Sequence, residues 1–200
     1  QMLLRSRPAQ LMAMSFLARG MIRPFEGGGT FATDVVSASL GAEFVGYVIA
    51  FKEVCRALGG AAMGALSDRV GRATVLAIAE SGRLIFISYF CLNRIRSGGR
   101  QFSLIFALAA LPSLLNGQST QNALQHELFE HDGQKAVTVA MSVCQVADSL
   151  GSGTGYLLTG GTMRSKALSA MGVQIIGTIG IMAAALLARG QARLQGSKIE

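Results

Sequence analysis

The chain has 200 residues, of which half are hydrophobic, 25 are Gly and only 14% are charged, where soluble proteins carry about 25% charge. So much apolar mass excludes a disordered chain, three Cys exclude a disulfide scaffold and three Pro exclude collagen-like sequence; the lack of sustained alternation excludes an outer-membrane barrel. The net charge of +7 would suit nucleic acid in a soluble protein, but Arg94, Arg96 and Arg100, and then Arg189, Arg193 and Lys198, lie just outside apolar segments, where basic residues hold helix ends at lipid headgroups.

The expectation is an all-α integral membrane protein, multi-pass, with the lipid bilayer as partner and no nucleic acid. A helical span needs about 20 residues, and six segments qualify, at about 10–33, 44–66, 75–93, 102–124, 136–161 and 168–188, as a single six-helix domain over 1–200. In the first, Arg19, Arg23 and Glu26 are spaced i, i+4, i+7, one stripe of a helix, and three Gly follow. The second carries Lys52, Glu53 and Arg56, and the third is apolar apart from Glu80 and Arg83. Gln118, Asn122 and Gln125 repeat the i, i+4, i+7 stripe at the fourth, with Asn116 and Gln121 beside it. The fifth holds Gln145 and Asp148, and residues 173–188 of the sixth carry no charge. Turns fall at 97–99, 131–133 and 162–166, where Gly, Ser, Thr and Asp gather. Basic residues outside the spans number eight on one side and five on the other, which puts both ends of the chain on the cytoplasm-equivalent side. Gln1 in place of an initiator Met implies a leader removed or a start left out. Cys55, Cys91 and Cys144 show no CxxC pairing and read as small buried hydrophobes.

Nine ionisable residues thus fall inside spans: Arg19, Arg23, Glu26, Lys52, Glu53, Arg56, Glu80, Arg83 and Asp148. Each costs at least about 2.5–3.5 kcal/mol at a helix centre facing lipid, so all must face protein or water. Two arrangements satisfy that. Internal pairs at i, i+3 are available in Arg23 with Glu26, Glu53 with Arg56 and Glu80 with Arg83, and pairing suits the second and third spans. A water-filled cavity suits the first and fourth, with Arg19 or Arg23 meeting an anionic group and Glu26 or Asp148 taking a proton or cation.

The most specific string is Gly64-Ala65-Leu66-Ser67-Asp68-Arg69-Val70-Gly71-Arg72, between the second and third spans. Gly71 permits a tight turn, Asp68 can cap the next helix or pair with a cation, and Arg69 and Arg72 can anchor at headgroups. The string resembles the G-x-L-x-D-R-x-G-R loop of the major facilitator superfamily. Leu115-Asn116-Gly117 is similar to the glycine of that family's fourth-helix motif, and the glycine-rich run at 151–161 to the fifth-helix motif of its antiporters. Ala73 stands where the family has a basic residue, Pro112 and Ser113 lie where it has an arginine, and Tyr156 replaces a proline. The resemblance covers the amino-terminal six-helix half, two three-helix inverted repeats. It implies alternating access, with Arg19, Arg23, Glu26, Gln118, Asn122 and Asp148 touching solute and Gly64, Asp68, Arg69, Gly71 and Arg72 forming a gating loop. Gly60 with Gly64, and Gly151 with Gly155, make small-residue strips that would pack against a second six-helix half.

Other signals fail. The 126–131 segment lacks the second His of HExxH and reads as a solvated loop; residues 151–155 lack the GK[ST] of a phosphate loop. No catalytic residues, cofactor or metal ligands are expected, and no enzyme. Three readings stay open: a secondary transporter of a small polar solute, with five basic against four acidic residues in the spans suiting an anion; a transport-inactive six-helix derivative serving as a structural subunit of a larger organellar, respiratory or photosynthetic membrane complex; and a homodimer of half-transporters.

Overall fold

The computed structural model describes residues 6–93, 102–130, 133–157 and 162–196, and its regular elements are all helical. Helix α1, Arg7–Arg23, opens on Ser6, whose Oγ accepts from the Ala9 N–H, with Pro8 in the first turn, a position where the missing N–H costs nothing. Pro24 then interrupts the ladder. Two wide turns follow, Pro24–Gly28 and Phe31–Ser37, the first closed by the Gly29 N–H on the Pro24 carbonyl five residues back. One helical turn, Ala38–Leu40, ends at Gly41 with φ +109°.

Helices α2, Phe44–Val70, and α3, Arg72–Leu92, are separated by Gly71 alone. Its φ of +87° is a conformation that other residues reach only with strain. The fourth expected span is broken into α4, Phe102–Leu114, and α5, Gln118–Phe129. Pro112 lies in the last turn of α4, where it removes one backbone donor. Gly117 caps α5, and a Cβ there would lie 2.9 Å from that of Ala79. Helices α6, Gln134–Leu157, and α7, Met163–Gly196, complete the order.

Among the described residues, three helical stretches are long and apolar enough to cross a membrane: Arg72–Leu92, Phe102–Phe129, which includes the break between α4 and α5, and Arg164–Gly190. The fold is thus helical with at least that membrane-compatible core. The helix ends also correct two expectations. The 126–131 segment is helical as far as Phe129, because Leu128 and Phe129 are buried and hold α5 down. The turn expected at 162–166 is shorter, since Thr162 accepts the Ser165 N–H and α7 begins at Met163. The turns expected at 97–99 and at 131 and 132, and the end of the fifth span at 158–161, fall outside the described residues.

Two apolar clusters occupy opposite ends of the bundle. One joins Phe25, Phe31, Phe86 and Phe90 with Ile105, Leu108 and Ala170. Its rings meet edge to face, Phe25 on Phe90 at 5.7 Å and Phe86 on Phe90 at 5.1 Å, geometry that adds about 0.5–1.5 kcal/mol per pair beyond burial. The other joins Met12, Leu76, Leu124, Phe129, Cys144, Ile181 and a set of alanines. The helices alternate in direction between them, α4 and α5 running the same way as the two parts of one broken span. Helix α1 packs on α6 and α7, α3 packs on α7, and α4 packs on α2. The α1–α6 crossing brings backbones together: a Cβ on Gly20 would overlap the Asp148 carbonyl, on Gly151 that of Leu17, and on Gly155 that of Met21.

Candidate functional site: a charged layer across the bundle

Between the apolar clusters, at mid-length of the helices, lies a polar layer that gathers all nine ionisable residues of the expected spans. On one side it is sealed. Arg83 of α3 donates to Glu80 at 2.9 Å and lies 3.7 Å from Glu26, beyond the break of α1. The second Glu80 oxygen accepts from Gln174 Nε2 and lies 3.4 Å from Thr178 Oγ1, both on α7. Glu80 and Arg83 are each 6% exposed. A buried pair persists only if its remaining lone pairs and donors are satisfied, and α7 supplies those partners.

The other side is open. A cavity of about 420 Å³ is lined by Arg19, Arg23 and Glu26, by Lys52, Glu53 and Arg56, and by Arg83, Pro112, Ser113, Asn116 and Tyr156. Such a volume admits a small ligand. Arg19 donates to Gln121 at 2.7 Å and to Gln118 at 3.0 Å, while Gln121 reaches Ser15 Oγ at 3.4 Å. Arg56 of α2 donates to the same Gln118 oxygen at 3.1 Å and pairs with Glu53 at 3.4 Å. Lys52 donates at 2.9 Å to the Glu26 carbonyl, in the turn that Pro24 opens. Arg23 pairs with Asp148 of α6 at 2.8 Å. The other Asp148 oxygen, Oδ1, is buried without a hydrogen-bond partner, as is Glu26 Oε1. Asp148 Oδ1 is thus a spare acceptor for a proton or a cation, whereas Glu26 Oε1 already faces Arg83 Nε at 3.7 Å.

The structure therefore places Arg19, Arg23 and Glu26 on the cavity, with Gln118 and Asp148 behind them as the partners of Arg19 and Arg56 and of Arg23. It leaves Asn122 out: that side chain is exposed on α5 and does not line the cavity. The face that meets α1 is Gln118 with Gln121, at i, i+3, because the break before Gly117 sets the rotation of α5; Gln125 is buried near Cys144 instead. The pairs Glu53–Arg56 and Glu80–Arg83 form, but Arg23 turns to Asp148 in place of Glu26, since the wide turn at Pro24 carries Glu26 round to Arg83. The sequence reading missed Gln174, whose signal was a lone large polar residue inside an uncharged span, and the cavity positions of Lys52, Glu53 and Arg56.

The loop between α2 and α3 forms a second site at one end. Arg72 pairs with Glu127 of α5 and donates at 3.0 Å to the Ala123 carbonyl. Asp68 and Arg189 line a cavity with them. Asp68 does not cap α3, whose first turn follows Gly71 with no side-chain cap, and Arg69 is exposed.

The small-residue strips are placed differently from the expectation. Gly151 and Gly155 back onto α1 of the same chain, where the two backbones cross closely. In α2 the tight contact belongs to Gly59, where a Cβ would overlap the Leu114 backbone; Gly60 and Gly64 face Asn116 and Ser119 at 3.8 and 3.7 Å. The three Cys are buried and free. His126 lies 3.7 Å from Glu130, His131 lies outside the described residues, and among the described residues no three His, Cys, Asp or Glu form a metal-sized group.

Fold and layer together define a class, a helical membrane protein with a charged midsection. Comparisons with family models, with characterised proteins and with solved structures give no match to this chain.

Proposed function

We propose that this chain is one six-helix half of a secondary transporter of the major facilitator kind, moving a small polar solute by alternating access. The observation that carries the reading is the open side of the polar layer. Arg23, Arg56 and Glu53 keep 48, 39 and 54% of their side-chain surface exposed at mid-depth of the bundle, beside exposed Val54, Leu58 and Tyr156. Hydrocarbon cannot solvate such charges, so this face belongs against a second body with water between. Two further features support the reading. Helices α1 and α4–α5, the first of each three-helix unit, are both broken beside the cavity, as substrate-binding helices of transporters are. The packing also exchanges partners between units: α1 with α6, α4 with α2, and α3 with α7, the pattern that two inverted repeats produce.

A structural subunit of a larger complex is the second reading, favoured by how many charges already satisfy one another, Arg23 with Asp148, Arg83 with Glu80 and Arg56 with Glu53. The protein taken gently from its source membrane decides between them. Sized on a native gel and sealed into vesicles, a transporter half migrates with one further six-helix body, or with a second copy of itself, and supports saturable solute flux. Migration only within a much larger assembly, with no flux, replaces it with the structural subunit.

A further inference from the structure

The cavity wall holds two guanidinium groups on a neutral acceptor. Arg19 Nη2 and Arg56 Nη2 come from different helices and both donate to Gln118 Oε1, at 3.0 and 3.1 Å. Like charges held this close repel unless an anion lies between them, and an amide oxygen carries only a partial charge. Arg19 has no carboxylate partner among the described residues; its other bond goes to Gln121, also an amide. The layer as a whole holds five basic and four acidic groups, so one positive charge is left over; among the described residues Arg19 and Lys52 are the basic groups of the layer with no carboxylate in ion-pair reach, Lys52 bonding the Glu26 carbonyl, and Arg19 is the one held beside a second guanidinium.

We infer that Gln118 Oε1 keeps the seat of one oxygen of a small oxyanion between Arg19 and Arg56, and that the solute carries a carboxylate or a phosphate group. Guanidinium forks match both groups in plane and spacing. When the anion enters, Gln118 swings aside, so the amide acts as a latch that ties α1 to α2 in its absence. The inference rests on the reading of this cavity as a solute site.

The test is thermal unfolding of the purified full chain in detergent, with sodium acetate or inorganic phosphate replacing sodium chloride at constant ionic strength. At least one of the two raises Tm by about 2–4 °C; acetate alone assigns a carboxylate, phosphate alone a phosphate group, and both the shared oxyanion chemistry. Gln118→Glu places a carboxylate in the seat, so it raises Tm by a similar amount and weakens the response to the anion by at least about tenfold in concentration. Gln118→Ala empties the seat, so Tm falls and the anion response becomes larger than in the parent. Silence to both anions in the parent and in Gln118→Ala overturns the inference, and so does a Gln118→Glu protein less stable than the parent. Flux in vesicles separates this from the transporter reading: anion response without flux keeps the seat and removes transport, whereas flux without anion response keeps transport and removes the seat.

Discussion

Helices α2 and α3 carry the same local device, a glutamate followed three residues later by an arginine, and both pairs form: Glu53 with Arg56 at 3.4 Å and Glu80 with Arg83 at 2.9 Å. Their surroundings differ. The Arg83 side chain is 8% exposed, and α7 adds Gln174 and Thr178 to its glutamate, while Glu26 approaches from the other side. The Arg56 side chain is 39% exposed, and among the described residues its further hydrogen-bond partner is the Gln118 amide. An i, i+3 pair is therefore no more than a spacing; what converts one copy into a structural clasp and leaves the other at a cavity mouth is the helix packed across it.

That contrast can be broken by removing each acid in turn. Glu80→Ala leaves Arg83 buried without its main counter-charge and costs about 3–5 kcal/mol, enough to lower the yield of folded protein sharply; a loss near zero by denaturant titration would mean that water reaches the sealed side. Gly155→Ala pushes a methyl group into the Met21 backbone and costs about 1–3 kcal/mol, read as a lower Tm in circular dichroism, and it loosens the α1–α6 wall that holds Arg23 toward Asp148. Asp148→Ala removes a partner from a half-exposed arginine and costs about 1 kcal/mol, checked by the same melt. Glu53→Ala is the smallest, within about 0.5 kcal/mol. Should it rival Glu80→Ala, the open side is covered in the isolated chain and the comparison fails.

Three of the six expected spans were legible because apolar length is written locally, and so were the pairs within α2 and α3, where three residues of regular helix fix the geometry. What failed to show were the places where the ladder departs from regularity. Glu26 stands three residues from Arg23, yet Pro24 and the wide turn after it move Glu26 to Arg83. Asn122 fitted a stripe drawn through an unbroken helix, and the break at Pro112 to Gly117 replaced that stripe with Gln118 and Gln121. Gly60 with Gly64 had the spacing of a packing strip, but the close approach chose Gly59, because which helix face crosses a neighbour is decided by tertiary packing. The gathering of nine charges into one layer was foreseeable only as a demand for compensation, since the partners lie on helices far apart in the chain.

The ion pair between Arg23 and Asp148 also sets a timetable for synthesis. Arg23 belongs to α1 and Asp148 to α6, so at about 5–20 residues per second the arginine waits of the order of ten seconds for its counter-charge. The three glycines that let α1 and α6 touch cannot act before then either. During that interval α1 lacks both the ion pair and the close packing that α6 supplies, and Arg23 depends on water or other polar partners until α6 arrives.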